Sequence, residues 1–281
     1  MAATATRHAP RSGRPKLMDD EKLEAKMMAA AQKLLMRQKN GFALNFEHLN
    51  LETVMRKADV SRSAVYRVFP NKESFNRALL KSFASPQGSG PGYGQASIGP
   101  FDEQTAESAA AILQESEESL STAAGRATVL HRLVIDVVGR AFKKLVDEER
   151  WRRYVVLTMA SSQLDDEDFR EEIMGDLRAS EDRYMKGFEA LLKYLFDELH
   201  LQPKPPFDES LMLATLARLT VANFEGLSLQ HVPNHKLIER KHEFPSGSWS
   251  LATMGFAAAL NLVAQHEDGG LAVDLTRTAG D

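Results

Sequence analysis

Residues 51–70 read LETVMRKADVSRSAVYRVFP, and the reading of the whole chain turns on this stretch. Leu51, Val54, Met55 and Ala58 recur at helical spacing and predict a short helix with one buried stripe. Asn50 precedes it as an N-cap, its side-chain oxygen placed to accept from the first backbone N–H groups. Asp59-Val60 makes a tight turn, and Ser61 caps a second helix. That second helix is two-faced. Val65, Val68 and Phe69 form an apolar set, while Arg62 with Tyr66 and Ser63 with Arg67 are i,i+4 pairs pointing elsewhere. Two cations, a hydroxyl and a phenol on one exposed face suit phosphate oxygens and guanine edges. Pro70 cannot continue the helix and ends it. Helix pairs of this kind also occur as plain packing corners, so the spacing alone leaves both readings open.

The 281 residues exceed an ordinary single domain, which predicts two. With 43% hydrophobic and 26% charged residues the chain can bury a sizeable core. No run approaches the ~18 uninterrupted apolar residues of a membrane helix, so no membrane partner is expected. The opening residues MAATATRHAPRSGRPKL contain no apolar segment, which predicts no secretory signal. The sequence has no cysteine, which excludes disulfides, thiolate chemistry and Cys-ligated zinc and fits a reducing, cytoplasmic setting. The net charge of −4 hides an asymmetry. Residues 1–85 hold 16 Lys and Arg against 8 Asp and Glu, a balance of +8; the remaining 19 and 31 give −12. A basic first third on an acidic body suits a nucleic-acid-binding head, although RNA or membrane contact would account for the charge equally.

Residues 1–18 carry Arg7, Arg11, Arg14 and Lys16 with no acid, and read as a basic flexible arm able to order in a DNA groove. Residues 19–85 read as one helical unit. Asp19, Asp20 and Glu21 place negative charge where a helix N-terminus favours it. Leu23, Met27, Ala31, Leu34 and Leu35 follow as a stripe, and Lys39 with Gly41 reads as the stop. Phe42, Leu44, Phe46 and Leu49 read as a hydrophobic connector. After Pro70, Asn71 caps a fourth helix whose Phe75, Leu79, Leu80 and Phe83 face inward. Lys72 and the N–H groups at that helix start form a natural phosphate site.

Gly41-Phe42 followed by VMRKADVSRSAVYRVFPNKESFNRALL resembles the N-terminal domain of the TetR family of transcriptional regulators. Ala58, Val60, Ser61, Tyr66, Phe69, Pro70, Lys72 and Glu73 stand where that family's pattern has them. The match covers roughly residues 20–84. It implies an all-α fold, with a helix-turn-helix DNA-binding domain ahead of a helical effector-binding and dimerisation domain. Three departures stand out. Asp59 replaces the usual turn glycine, at a cost of about 1 kcal/mol. Val68 occupies a place that often holds a phosphate-reaching Tyr or His, which removes one backbone contact. The segment from Gly41 to Val54 is longer than usual.

Residues 86–100 lie in SPQGSGPGYGQASIGP, whose five glycines and three prolines predict a flexible linker. No strand precedes them and no Walker lysine follows, which argues against a nucleotide loop. Residues 101–281 read as helical throughout, with helices near 103–120, 125–147, 149–162, 167–198, 208–230 and 247–265 and no hairpin. Pro203, Pro205 and Pro206 break the chain once, and residues 231–247, with Pro233, Pro245 and Gly247, break it again. The segments 208–230 and 247–265 are apolar on more than one face and need a second partner. They occupy the place of the helices through which TetR-like proteins pair, so the resemblance implies a homodimer. A buried monomer core is the competing reading.

No HExxH, GxSxG or P-loop occurs, no catalytic residue or cofactor is assigned, and the chain is expected not to be an enzyme. No metal is expected: the acidic run Asp165-Asp166-Glu167-Asp168 reads as a helix start. His131 shares a helical face with Ile135, Val138 and Phe142, as a satisfied core histidine or a ligand contact. Asn223 is a dimer-interface contact or a pocket polar group. Trp151, Tyr154, Met159, Met174, Met185 and Phe188 line either an effector cavity or ordinary core. Arg62, Ser63 and Arg67 are expected at base edges, with Thr53, Ser61, Tyr66 and Lys72 on the phosphate backbone. The expected function is sequence-specific regulation of transcription: a repressor on a palindromic double-stranded operator, released by a small-molecule effector. Two alternatives are a ligand-independent architectural DNA-binding factor and a helical enzyme or interaction module with a vestigial DNA-binding head.

Overall fold

The computed structural model describes residues 19–36, 49–84, 101–147, 155, 158–159 and 161–276. The arm at 1–18, the connector residues Phe42, Leu44 and Phe46, and the glycine-rich 86–100 lie outside the described residues, as do Trp151, Tyr154 and most of the helix expected at 149–162. The fold is all-α, with short two-stranded ladders, and divides into two compact units, one up to Leu79 and one from Leu80 onward.

The first unit holds α1 (Asp20–Met36), α2 (Leu51–Ala58), α3 (Arg62–Val68) and the start of α4 (Lys72–Ala84). The expected stripes are buried: Leu23, Met27, Ala31 and Leu35 in α1, then Leu51, Val54, Met55 and Ala58 in α2. Leu34 and Val68 are only half-buried. Phe69 and Phe75 meet edge to face, 5.4 Å between centroids at 85°, and lock the end of α3 against the start of α4. Phe75, Leu79, Leu80 and Phe83 are all buried along α4.

The second unit contains α5 (Glu103–Glu115), α6 (Glu117–Leu120) and α7 (Ala123–Leu133). A π-helical turn at Val134–Val138 leads into α8 (Gly139–Asp147). Two long helices follow, α9 (Glu167–Leu199) and α10 (Glu209–Ile238), and then α11 (Leu251–Val263). Its core stacks Phe101 on Phe188 at 3.9 Å and sets Phe142 edge-on to Phe224 at 5.3 Å. Asp166 caps α9 by accepting from Phe169 N–H at 2.9 Å, with Glu167 and Asp168 in the first turn. The acidic run therefore serves that helix start, and among the described residues no group of three potential ligands could hold a metal ion.

Three expectations for this unit are corrected. The chain is not helical throughout: β2 (Lys241–Phe244) pairs antiparallel with β3 (Gly247–Ser250), and β1 (Gln202–Pro203) pairs with β4 (Ala264–Gln265). Pro245-Ser246 is a hairpin turn, closed by Gly247 at φ +126, a backbone conformation that favours glycine. Pro233 does not end its helix. α10 continues to Ile238 through a kink at Asn234, whose φ −131 and ψ 41 are non-helical. Trp249 belongs to β3 rather than to the last helix, which starts after Ser250 in a reciprocal box with Thr253. Trp249 is wholly buried, and its Nε1 donates to Ser246 Oγ at 3.0 Å, which in turn donates to the Leu275 carbonyl at 3.0 Å.

Candidate nucleic-acid interface

The two capping residues and the turn hold α3 in place. Asn50 Oδ1 accepts from the Glu52 and Thr53 N–H groups at 2.8 and 3.4 Å. Asp59 sits in the left-handed region at φ 53 and ψ 55, where Asp is tolerated better than most residues. Val60 N–H then returns to the Met55 carbonyl at 3.2 Å and closes the end of α2. Ser61 is extended, and its Oγ accepts from Ala64 N–H at 3.4 Å. With Val65 fully buried and Phe69 3% exposed, the helix has one rotation available to it.

That rotation turns Arg62, Ser63, Tyr66 and Arg67 outward together. The Arg62 side chain is 70% exposed, and its guanidinium lies 5.5 Å from the Tyr66 ring centroid, a cation–π arrangement. Ser61 and Ser63 hydroxyls lie 3.4 Å apart. Lys72 is exposed at the first residue of α4. Asn71 and Ser74 cap that helix reciprocally: Ser74 N–H donates to Asn71 Oδ1 at 2.7 Å and Asn71 N–H to Ser74 Oγ at 3.4 Å. The Ser74 N–H is thus committed within the protein, which narrows the anion site expected there. Thr53 is half-buried, with its N–H on Asn50. Sequence reasoning missed two residues of this surface. Asp20 at the start of α1 forms an ion pair with Arg67, and Glu52 in the first turn of α2 stands 3.6 Å from Arg62.

The expected effector residues Trp151 and Tyr154 lie outside the described residues. Of those described, Phe188 alone lines the cavity of about 40 Å³ in the second unit. Its wall also includes Phe101, leucines of α7 and α9, Phe196 of α9, Phe256 and Leu260 of α11, and the valines of the π turn, all apolar. Met185 is buried outside that wall, and Met159 is 61% exposed. His131 is half-buried: its Nε2 accepts from Asp274 N–H at 3.2 Å, and its ring meets Trp249 edge-on at 5.9 Å. Asn223 joins α10 to α11 within the chain, donating to the Ala252 carbonyl at 3.5 Å and covering Gly255.

No protein-family model and no curated protein matches the sequence. The chain is similar to a solved TetR regulator. That structure is full-length native TylP from Streptomyces fradiae, 13% identical, with 91% of this chain and 92% of that chain covered and a TM-score of 0.37. No helix among the described residues is long and apolar enough to cross a membrane.

Proposed function

We propose that the chain is a sequence-specific DNA-binding regulator of transcription, acting as a homodimeric repressor. The observation that carries this reading is the outward face of α3. Arg62, Ser63, Tyr66 and Arg67 stand together on a helix whose orientation is fixed by two caps, a left-handed turn and two buried anchors. A short, rigid, basic helix of this kind fits the major groove, with arginines at guanine edges and Tyr66, Ser61 and Lys72 on phosphates. On this reading residues 1–18 would serve as a basic arm, 19–85 as the reading head, 86–100 as a linker and the rest as a regulatory body.

The homodimer reading is supported by an outward apolar surface on the last helices. Leu211 and Leu229 share a side of α10 with Ala222 and with Gly226, where an added Cβ would meet open space. Leu262 of α11 is 55% exposed. Small residues between leucines let a second helix approach closely. Two heads on such a dimer read half-sites about 34 Å apart. The effector reading is supported by the cavity, whose wall offers no hydrogen-bond partner and so selects an uncharged, apolar compound. At about 40 Å³ it is well below the ~300–1,000 Å³ of typical ligand sites, so such a compound must displace wall side chains to enter.

The test is selection of bound duplexes from a random pool. The expected product is a palindrome with half-sites about 10 base pairs apart or a multiple of that. An apolar compound that enters the cavity should weaken that complex by about 5- to 150-fold. Recovery of no common sequence would defeat the proposal.

A further inference from the structure

Both cations on the outward face of α3 are matched by carboxylates from the two helices before it. Arg67 is ion-paired with Asp20, 47 positions upstream, and Arg62 lies 3.6 Å from Glu52. The acids come from different helices and meet different arginines, so the arrangement occurs twice independently. A helix N-terminus stabilises an acid at either place. That effect does not require a carboxylate aimed at an arginine, and Asp19 and Glu21 serve the α1 terminus as well.

We propose that Asp20 and Glu52 hold Arg67 and Arg62 off the phosphates of random DNA and yield them to bases, and so set how strongly and how salt-dependently the chain binds random sequence. The inference rests on reading α3 as the DNA-reading helix. A phosphate offers an exposed arginine little more than a carboxylate already does, and an exposed ion pair holds its partners by about fivefold or less. A guanine edge engages the guanidinium through two hydrogen bonds and discriminates by roughly 5- to 150-fold. The arginine therefore stays on its carboxylate over random sequence and leaves it at a matching base. On random DNA each such arginine contributes no phosphate contact, so it releases no counterions.

The experiment measures binding of the full chain to the selected palindrome and to a random duplex of equal length, from about 50 to 200 mM salt. Asp20→Asn should steepen the salt slope on random DNA by about 0.9 and tighten that binding about fivefold near physiological salt. The slope on the palindrome should not move, because there Arg67 sits on a base. Glu52→Gln should act in the same direction through Arg62. Asp19→Asn removes the same charge one residue away and should leave both slopes unchanged. Adding Arg67→Ala to Asp20→Asn should return the random-DNA slope to the wild-type value. If Asp20→Asn and Asp19→Asn behave alike, the carboxylate serves only the helix end and the inference is overturned. It is equally overturned if Asp20→Asn weakens palindrome binding and leaves random DNA unaffected. A wild-type chain with no preference for any sequence would instead defeat the DNA reading itself.

Discussion

Asp102 shows how a single side chain fixes local structure and carries a pH signature. It caps α5, accepting from the Thr105 N–H and Oγ1 at 3.1 Å each, and pairs with Lys144 of α8. Burial acts to raise its pKa, but the Lys144 and Thr105 donors outweigh it and hold the carboxyl below the ordinary value. A lowered folded-state pKa stabilises the protein above the unfolded value, and that stabilisation is lost as pH falls through the lower folded one. Asn still caps the helix but cannot pair with Lys144 as an ion, so Asp102→Asn should cost about 0.5–1 kcal/mol near neutral pH. The gap between variant and wild type should close below about pH 4 in urea melts; a gap that stays constant would refute the assignment. The capping roles of Asn50 and Ser61 and the left-handed Asp59 were legible in the sequence because each depends on neighbours within three or four positions. The pairing of Asp20 with Arg67 was not, because it joins residues 47 apart that only the packed head brings together.

At the scale of elements, α10 and α11 are in contact where Asn223 covers Gly255. A Cβ on Gly255 would lie 2.4 Å from Asn223 Nδ2 and 2.7 Å from its Cγ. Gly255→Ala must turn the Asn223 amide away, and should lower stability by about 1–2 kcal/mol. The same change in an Asn223→Ala background should cost much less, a coupling that a double-mutant cycle in denaturant reads directly. Equal costs in both backgrounds would mean the two residues do not constrain one another. The long helices were visible from their apolar period, and their boundaries mostly agree within a few residues. Pro233 misled because a proline can be carried through a helix when one residue, here Asn234, leaves helical geometry and absorbs the clash. The 241–250 hairpin escaped notice because its turn, Pro245-Ser246, lacks the Asn-Gly or Asp-Gly pair that announces two-residue hairpins. The cavity wall was illegible for another reason. Its residues run from Phe101 to Leu260, and periodicity says that each faces inward without saying which neighbours it fails to fill.

For the whole molecule, the proposed dimer makes the exposed leucines of α10 and α11 the decisive surface. Leu229→Glu combined with Leu262→Glu should convert the dimer to a monomer in sedimentation while leaving the helical circular-dichroism signal in place. Palindrome affinity should fall toward that of a half-site, because one head then binds alone. A dimer that survives both charges would place the interface elsewhere.

The path of the last described residues has a consequence for synthesis. Ala272 and Val273 are each 1% exposed, Asn261 is bound on both sides to the Val273 backbone, and His131 receives the Asp274 N–H. The second unit therefore cannot complete its core until residues some 190 positions beyond Ala84 have left the ribosome. At a translation rate of about 5–20 residues per second, that leaves the head roughly 10–40 s in which its own helices have emerged without a finished body. During that interval α1, α2 and α3 have all been synthesised. The charges of α3 are held by Asp20 and Glu52, both made earlier than the arginines they partner.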